Sequence, residues 1–264
     1  MISIVLPTHN RPAELKAALD SLCAQSLLPG EVIVVDDGST PAVSAADIFG
    51  AFPESVSTIL LRNPRAMGAN HARNRGVRQA TGEFIAFLDD DDRFKPHKLA
   101  TLKRAVLEHK DVDVIYHPAH IHMRHEGVSY FSSPQPLPIG PERIRALLMG
   151  NPVGGTAMVA IRRSSIIEVG YFDEDFPALQ DRELYMRLAQ SGCNFLLIPE
   201  PLTDYYHTTN QGSISKSIEH YLLAQKLFEE KYQEEFALLN ESELKILAIT
   251  KLKGNPPIFN SAFG

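Results

Sequence analysis

An α/β fold with a mostly parallel, Rossmann-like central sheet flanked by helices is predicted by this 264-residue sequence. Short apolar runs alternate with amphipathic helical patterns, and such alternation is typical of βαβ units. Three of the apolar runs end in polar signatures that begin at Pro7, Asp36 and Asp89. The carboxyl ends of parallel strands share one edge of the sheet, where α/β proteins bind their ligands. The sequence therefore predicts a ligand site at that edge.

The first half of the chain repeats a strand–helix pattern. Buried strands are predicted where short apolar runs meet turn residues, at 2–6, 31–35, 56–61 and 84–88. The first helix begins at Asn10 or Arg11, takes Pro12 in its first turn, and has apolar residues at helical spacing until it ends near residue 28. A weak helix at 44–52 and a helix at 68–80 follow. The second of these has a face of small residues, which lets it pack close to the sheet.

The second half predicts the remaining strands and their connections. A helix begins at Pro96, and strands are predicted at 112–116, 157–161 and 195–198, with a strand-like stretch at 202–206. A hairpin at 120–131 is followed by a Pro-rich mobile loop at 132–141 and a short helix at 143–149. Another helix opens at Gln180. From Ser215 onward, aromatic residues among charged ones predict a helical extension that docks on the preceding domain, pairs with another subunit or lies on a membrane.

Charge and cysteine content exclude several classes of protein. The net charge is −6 and no long basic run occurs, which argues against nucleic-acid binding. Cys23 falls on the apolar face of the first helix and suits a small core residue better than half of a disulfide with Cys193. The N-terminus lacks a basic leader, and no apolar run is long enough to cross a bilayer. We therefore expect a cytoplasmic protein, at most peripheral at the inner membrane face.

Four consecutive carboxylates follow the apolar strand at 84–88. Like charges this close repel one another and are costly to bury, so Asp89-Asp90-Asp91-Asp92 predicts a bound cation. In an extended segment Asp89 and Asp91 face one way and Asp90 the other. Oxygen ligands suit Mg²⁺ or Mn²⁺, shared with a substrate diphosphate. An EF-hand is excluded because a loop starting at Asp89 would place Phe94 and Ala100 where glycine and glutamate are required.

Further polar residues belong to the same edge of the sheet. Asp36-Asp37-Gly38-Ser39 is a common type of turn, but its position after a strand favours nucleotide contact. Pro7-Thr8-His9-Asn10 follows the first strand in the same way. Arg73, next to Asn74 on the helix before the acidic strand, suits a base or phosphate contact.

The histidines divide into two groups. His117, His120, His122 and His125 suggest zinc, and His120 and His122 would share a face of a strand. No Cys or Glu completes a known zinc spacing, so surface or hairpin positions are favoured. His207 follows a strand-like stretch and either reaches the metal and the diphosphate or has a structural role.

Asp181 stands at the start of a predicted helix. It is either an N-cap or a general base that the helix terminus keeps ionised, and the helix start does not separate these roles. The sequence contains no P-loop, no G-x-G-x-x-G and no G-x-S-x-G. NTPase, nicotinamide-dependent and serine-hydrolase chemistry therefore lack their usual motifs.

The polar motifs, taken in order, resemble those of family 2 glycosyltransferases. The matching stretches are Pro7-Thr8-His9-Asn10-Arg11, Val34-Val35-Asp36-Asp37-Gly38-Ser39, Ala72-Arg73-Asn74-Arg75-Gly76, Leu88-Asp89-Asp90-Asp91-Asp92, Gly170-Tyr171-Phe172-Asp173-Glu174 and Gln180-Asp181-Arg182-Glu183-Leu184. The resemblance covers roughly residues 1–215. It implies the GT-A fold, a nucleotide-sugar donor, a divalent metal and an inverting, single-displacement transfer.

The resemblance also implies roles for individual residues and for parts of the chain. Asp181 would be the catalytic base. The nucleotide would be bound by Pro7, Thr8, Asn10, Arg11, Asp36, Asp37, Arg73, Asp89 and Asp90. The metal, Mn²⁺ or Mg²⁺, would be held by Asp91 and Asp89, with His207 as a further candidate ligand. The sugars would contact Gly154, Gly155, Thr156 and Gln180. A glycosyltransferase domain at 1–214 would divide into a nucleotide-binding half at 1–110 and an acceptor-binding half at 111–214, followed by the helical extension at 215–264.

Two departures from the family pattern narrow the expectation. Gln180 stands where the family usually has Glu, while the base position is kept. The Gln-x-x-Arg-Trp motif of processive members is missing, and the chain contains no Trp. We expect a non-processive transferase that moves a sugar from a UDP-sugar to a glycan or lipid-linked acceptor in polysaccharide biosynthesis. The alternatives are a sugar-1-phosphate nucleotidyltransferase, whose Gly-rich N-terminal loop is missing, and an inactive nucleotide-sugar-binding protein, which only Gln180 supports.

Overall fold

The computed structural model describes residues 1–123, 126–207 and 218–252. The strands are β1 (Ile2–Thr8), β2 (Glu31–Asp36), β3 (Ser57–Arg62), β4 (Phe84–Phe87), β5 (Arg93–Phe94), β6 (Val114–Tyr116), β7 (Ala119–Met123), β8 (Val128–Phe131), β9 (Val159–Arg162), β10 (Phe195–Leu197) and β11 (Thr203–His207). The helices are α1 (Pro12–Cys23), α2 (Ala45–Phe49), α3 (Ala69–Gln79), α4 (Lys98–Glu108), α5 (Pro141–Met149), α6 (Arg163–Glu168), α7 (Gln180–Gln190), α8 (Ile218–Lys231), α9 (Gln233–Phe236) and α10 (Glu241–Leu252).

A seven-stranded sheet forms the centre of the molecule, in the order β10-β6-β9-β4-β1-β2-β3. β1 pairs in parallel with both β2 and β4, and β2 pairs in parallel with β3. β9 runs antiparallel between β4 and β6. The prediction of a mostly parallel central sheet flanked by helices is confirmed, and the carboxyl ends of β1, β2 and β4 meet at one edge.

The central strands are apolar along their whole length because both faces of the sheet are covered. The side chains of β1 and β4 enter two different apolar cores. Val5 and Phe87 pack on one side of the sheet, and Ile4, Leu6 and Phe84 pack on the other. A side-chain period of two, combined with helices on both faces, explains why no polar alternation is present in these strands.

α3 packs closely on the sheet, as its small residues predict. A Cβ atom at Gly76 would clash with the side chain of Val5 on β1, so glycine is required for this approach.

Three helices differ from the prediction. α1 ends at Cys23, five residues before the predicted end, and α2 is shorter than the predicted helix at 44–52. α6 was not predicted.

A second, smaller sheet has the order β5-β11-β7-β8. β7 and β8 form the predicted hairpin, and β11 is the strand-like stretch at 202–206. β11 joins β7 in parallel, and β5 pairs antiparallel with β11. The sequence did not indicate this assembly because its strands lie far apart along the chain. The loop at 132–141 contains no strand, and its Leu137 N–H donates to the hydroxyl of Tyr116 at 2.8 Å.

The C-terminal helices pack on the same core as the sheet. Ala224, Phe228 and Tyr232 of this extension are buried. Lys231 forms ion pairs with Asp173 and Glu183 at 2.7 and 2.8 Å. Docking is thus the arrangement that the described part of the extension adopts, while the predicted boundary at 214/215 falls outside the described residues. Within those residues no helix combines the length and the hydropathy needed to cross a bilayer.

Candidate active site

A cleft of about 870 Å³ opens at the carboxyl ends of β1 and β4. This volume lies within the range of roughly 300–1,000 Å³ that small-molecule sites occupy. The structure brings almost every candidate site residue to the cleft wall. Those residues are Pro7, Thr8, Asn10, Arg11, Asp37, Arg73, Asp89, Asp90, Asp91, Gly154, Gly155, Thr156, Gln180, Asp181 and His207.

Asp36 is the exception, because it lies behind the cleft wall and is fully buried. Its carboxylate accepts the N–H groups of Ser39 at 2.8 Å and Val43 at 3.2 Å, and a guanidinium N–H of Arg62 at 2.6 Å. Burial alone would raise its pKa, but these donors lower it below the usual range. The expectation that Asp36 contacts the nucleotide is therefore not met by the geometry, since the last residue of β2 points to the buried face. Asp36 instead fixes the turn that follows.

Asp37 borders the cleft and holds the loop that leads into α3. Its two oxygens accept hydrogen bonds from the Asn63 side chain at 2.6 Å and from the backbone N–H groups of Met67 and Gly68. Three donors fix the carboxylate in one orientation. The residue thus joins the end of β2 to the start of α3 at the cleft wall.

The four carboxylates after β4 form a turn, closed by a 3.0 Å hydrogen bond from the Asp92 N–H to the Asp89 carbonyl. The turn ends the alternation expected for an extended segment, so Asp90 lines the cleft together with Asp89 and Asp91. Asp89 accepts from the buried Arg73 at 2.6 Å on one oxygen and from the Thr156 hydroxyl at 3.1 Å on the other. Asp89 thereby links both halves of the chain.

Arg11 neutralises the next two carboxylates of the turn. One guanidinium nitrogen lies 3.1 Å from an oxygen of Asp90 and 3.1 Å from an oxygen of Asp91. Asp90 also accepts the Thr8 hydroxyl at 2.9 Å. Burial raises the pKa of Asp90 to about 6, against the opposing charge of Arg11. The Asp90 carboxylate therefore helps to fix the structure of the turn and also contributes to its negative charge.

Asp92 is buried beneath the turn, only 1% exposed. It accepts the Tyr206 N–H at 3.0 Å, and burial raises its pKa well above the usual range. Lys98 is buried nearby, donates to the Ala157 carbonyl at 2.7 Å, and has a pKa lowered by burial, which its attraction to Asp92 opposes. Asp92 thus belongs to the support of the turn rather than to its solvent face.

The predicted metal ligands Asp89, Asp91 and His207 all line the cleft. Asp91 has the most exposed side chain of the three turn carboxylates that line the cleft, at 31%, against 24% for Asp89 and 7% for Asp90. Both oxygens of Asp89 already accept hydrogen bonds. A donor set this small fits a hard divalent cation that keeps substrate oxygens as further ligands. These residues do not by themselves form a three-ligand group with donor atoms within 4.8 Å, as far as the described residues go.

Asp181 faces the acidic turn from the start of α7. One oxygen accepts the Asn151 side-chain N–H at 3.0 Å, and the other accepts the backbone N–H of Arg182 at 2.7 Å. Asn151 is itself fixed by hydrogen bonds with Gly154, donating at 3.1 Å and accepting at 3.0 Å. Burial raises the pKa of Asp181 above its usual value, opposed by the Arg182 N–H and by the charge of Arg73.

The backbone beside Asp181 is strained. Leu179, which precedes α7 and lines the cleft, has φ of 58°. Asn10, which also lines the cleft, has φ of 54°. A left-handed conformation is costly for residues other than glycine and tends to occur at functional sites. Gln180 follows Leu179 directly and also lines the cleft.

Several cleft residues have no motif that would single them out. Asn151 lies three residues before Gly154, the first of the predicted sugar contacts in this loop, and was not predicted. Ile121 and Tyr205 come from the small sheet, and Tyr221 comes from α8. Their places depend on tertiary packing, which no local pattern reports. For the C-terminal extension, the mixture of aromatic and charged residues included docking on the preceding domain among the predicted arrangements but did not identify Tyr221.

The histidines differ from expectation. His117 directly follows β6 and is fully buried, not at the surface, and its backbone N–H donates to the Met158 carbonyl at 3.2 Å. Burial lowers the pKa of His117 well below its usual value. His120 and His122 lie on β7, half-buried, beside Asp204. His125 lies outside the described residues.

Comparisons with known proteins agree on one family. The protein-family sequence model described as glycosyl transferase family 2 matches residues 3–170 of this chain. An uncharacterized glycosyltransferase of Haemophilus influenzae is 36% identical over 217 residues, which cover 81% of this chain and 71% of the relative. The amylovoran biosynthesis glycosyltransferase AmsB of Erwinia amylovora is 30% identical over 223 residues, covering 81% and 72%.

Solved structures share the fold. TarS 1–349 of S. aureus in complex with UDP-GlcNAc has a TM-score of 0.68 and 22% identity, with 96% of this chain and 72% of that chain covered. Against a longer TarS chain, this chain spans 43% of the length. The mannosyltransferase PcManGT from Pyrobaculum calidifontis, in complex with GDP-Man and Mn²⁺, has a TM-score of 0.59 and 19% identity, covering 97% and 76%.

Proposed function

Because the chain belongs to glycosyl transferase family 2 and is a glycosyltransferase, we propose that it transfers one sugar, with inversion, from a UDP-sugar to a saccharide acceptor. The observation that carries the proposal is the cleft itself. It joins an arginine-paired acidic turn, suited to a metal and a diphosphate, to a carboxylate at Asp181 that is held by neutral donors. A nucleotide sugar laid across such a cleft would have its leaving group at one end and a base at the other.

Asp181 acts as the general base. An acceptor hydroxyl oxygen attacks the anomeric carbon, the bond from that carbon to the diphosphate oxygen breaks, and the hydroxyl proton passes to the Asp181 carboxylate. Attack from the side opposite the diphosphate inverts the configuration. Its raised pKa brings Asp181 closer to the pH at which the enzyme works, which favours proton transfer to its carboxylate.

The acidic turn and its arginines receive the leaving nucleoside diphosphate. Arg11, with 42% of its side chain exposed, can donate to phosphate oxygens while it stays beside Asp90 and Asp91. Asp91 and His207 would hold Mn²⁺ or Mg²⁺ against the diphosphate. When bound, the cation stabilises the negative charge that develops on the leaving group. The nucleotide lies along Pro7, Thr8, Asn10 and Asp37 on this account.

The sugars occupy the opposite half of the cleft. Gly154, Gly155 and Thr156 lie in a segment that Asn151 fixes, and Gln180 adjoins the base. The relative AmsB is named for amylovoran biosynthesis, which supports a saccharide acceptor in polysaccharide biosynthesis. UDP as the nucleotide is supported by the TarS complex with UDP-GlcNAc.

A lipid-linked acceptor, handled in the cytoplasm at the inner membrane face, is the narrower form of the proposal. α8 supports it, because Ile218, Leu222 and Leu223 are each at least half exposed on the helix whose Tyr221 lines the cleft. Co-sedimentation with anionic phospholipid vesicles should fall sharply in the variant Leu222→Glu/Leu223→Glu. Equal sedimentation of this variant and the wild type would reject the membrane contact and leave the transfer reaction untouched. If the exposed face of α8 pairs with a second copy of the chain instead, light scattering should show the mass of a dimer.

Donor binding and turnover test the core of the proposal. Calorimetric titration of UDP-sugars and GDP-mannose, with Mn²⁺ present, identifies the donor, and UDP release measures turnover. We expect a UDP-sugar to bind most tightly and Mn²⁺ to increase UDP release. Preference for GDP-mannose would overturn the assigned nucleotide. Pyrophosphate release from a nucleoside triphosphate and a sugar phosphate would instead identify a nucleotidyltransferase, and binding without any UDP release would identify an inactive binding protein.

A further inference from the structure

The outer face of the small sheet carries a second group of metal-binding side chains. His120 and His122 project from β7 on the same face, as alternate residues of a strand do. Asp204 projects beside them from β11, because it pairs with His120 in the parallel register of the two strands. One ligand atom from each residue lies within 4.8 Å of the other two. Ile121 and Tyr205, the neighbours that face the other way, line the cleft.

The distances match those around a single small cation. His122 Nε2 lies 2.8 Å and His120 Nδ1 3.3 Å from the same oxygen of Asp204. Ligand atoms bonded to a tetrahedral Zn²⁺ at about 2.0 Å lie roughly 3.3 Å from one another. The two imidazole nitrogens thus already lie at or near this spacing from the Asp204 oxygen, and all three ligand atoms lie within 4.8 Å of one another. Two imidazoles and a carboxylate are also a donor set that zinc commonly takes, with a fourth position left for water.

The two rings are held in fixed planes by their neighbours. His120 stacks on Phe131 with ring centroids 4.5 Å apart, and His122 stacks on Tyr206 at 4.7 Å. The centroids of the two imidazoles are 4.0 Å apart. Residues that surround metal ligands commonly fix the orientation of the ligand rings. A ring that is already fixed loses less entropy when it binds the ion. All three ligand side chains remain between 17% and 27% exposed, so an ion can enter from solvent.

Lys95 is the competing cation at this cluster. Its ammonium lies 2.7 Å from the same Asp204 oxygen. Lys95 directly follows β5, and its side chain is 29% exposed, so it can swing into solvent when another cation arrives. The Asp204 oxygen that would bind the ion therefore already attracts the positive charge of Lys95.

We propose that His120, His122 and Asp204 form a zinc site, separate from the catalytic cleft, that ties β7 to β11. The ion stabilises the small sheet from its outer face, while the inner face presents Ile121 and Tyr205 to the cleft. The ion lies on the outer face of the small sheet and takes no part in the transfer step. The site depends on no assumption about the donor, the acceptor or the base.

Zinc titration of chelator-stripped protein tests the site, with excess Mg²⁺ present to saturate the cleft. The wild type, the double variant His120→Ala/His122→Ala and the matched control His109→Ala, which removes an exposed histidine at the end of α4, are compared by calorimetry. We expect one Zn²⁺ per chain in the wild type and the control. The double variant should bind at least about 100-fold more weakly, because two of three ligands are lost. Asp91→Asn should bind like the wild type, which separates this site from the cleft.

Two further measurements keep the test decisive if the double variant folds poorly. Lys95→Gln should bind Zn²⁺ more tightly than the wild type, since the competing ammonium is gone. Co²⁺ added to the wild type should give the visible absorption of a four-coordinate histidine site, and His122→Gln should lose it. The proposal is overturned if the wild type binds no Zn²⁺ at micromolar concentration. It is equally overturned if the double variant and the wild type bind Zn²⁺ alike.

Discussion

The two ends of the cleft hold their carboxylates in different ways. At the acidic turn, Asp89 is paired with Arg73, and Asp90 and Asp91 are paired with Arg11. At the other end, both oxygens of Asp181 accept hydrogen bonds from neutral groups, the Asn151 amide and the Arg182 backbone. One end is built from charge pairs and the other from dipoles.

This difference matches what the proposed reaction requires of each end. A turn that receives a diphosphate needs positive charge within reach, and paired arginines supply it without leaving free carboxylates to repel the ligand. A base needs a negative charge that is not consumed by a direct ion pair, because an ion pair would lower its pKa and its basicity. Amide donors orient the Asp181 carboxylate and leave it able to take a proton.

The largest effect is expected when the base itself is removed. Asp181→Asn keeps the shape of the side chain and its place beside Asn151 but cannot accept the proton. We expect kcat to fall about 10³-fold, within the range for a lost general base, while donor affinity measured by calorimetry stays within a factor of a few. UDP release and donor titration are measured on the same preparation. Turnover like that of the wild type would remove Asp181 from the base role.

The next effect concerns the acidic turn. Asp91→Asn should lower kcat/KM about 10²-fold, because the ligand best placed for the cation is lost and the leaving group is less stabilised. Unlike Asp181→Asn, this variant should require a higher Mn²⁺ concentration for half-maximal UDP release. An unchanged Mn²⁺ requirement would assign the cation to other ligands, and the contrast between the two ends would lose its basis.

The sequence predicts the acidic turn better than it predicts the surroundings of either end. Asp89 and Asp181 belong to contiguous motifs whose strand or helix boundary is visible locally. Asp36 and Asp37 are adjacent, and the alternation of a strand places them on opposite sides, yet nothing local says which side faces the ligand. Asp204 lies 82 residues from His122, so its contact depends on how β11 pairs with β7. Strand order across a sheet is set by the whole fold, and single-sequence periodicity does not report it.

A smaller effect is expected from the residue that orients the base. Asn151→Ala removes a donor to the ionised form of Asp181 and should lower kcat/KM about tenfold, the equivalent of one hydrogen bond to a charged group. Loss of that donor raises the pKa of Asp181 further, so the acid limb of the pH–rate profile should move to higher pH. Activity at alkaline pH should recover, because the base is fully ionised there.

The control for this variant is Asn194→Ala, which removes an exposed amide that donates to the Asp111 carbonyl at 3.0 Å, outside the cleft wall. Its profile should overlie that of the wild type. A uniform loss in Asn151→Ala at every pH would mean that the residue supports the segment at Gly154 and not the ionisation of the base.

The smallest effect is expected at Thr156, which connects the two ends. Thr156→Val keeps the shape of the side chain and removes only the hydroxyl that donates to Asp89 at 3.1 Å. Asp89 retains its pair with Arg73, so the charge balance of the turn is preserved, and one neutral donor is lost. We expect KM for the donor to rise about threefold to fivefold, with kcat nearly constant, since the contact orients the turn and does not touch the base. A fall in kcat with unchanged KM would place the effect of Thr156 in the transition state. The acidic turn would then contribute to chemistry as well as to binding, and the division between a charge-paired end and a dipolar end would no longer separate the two tasks.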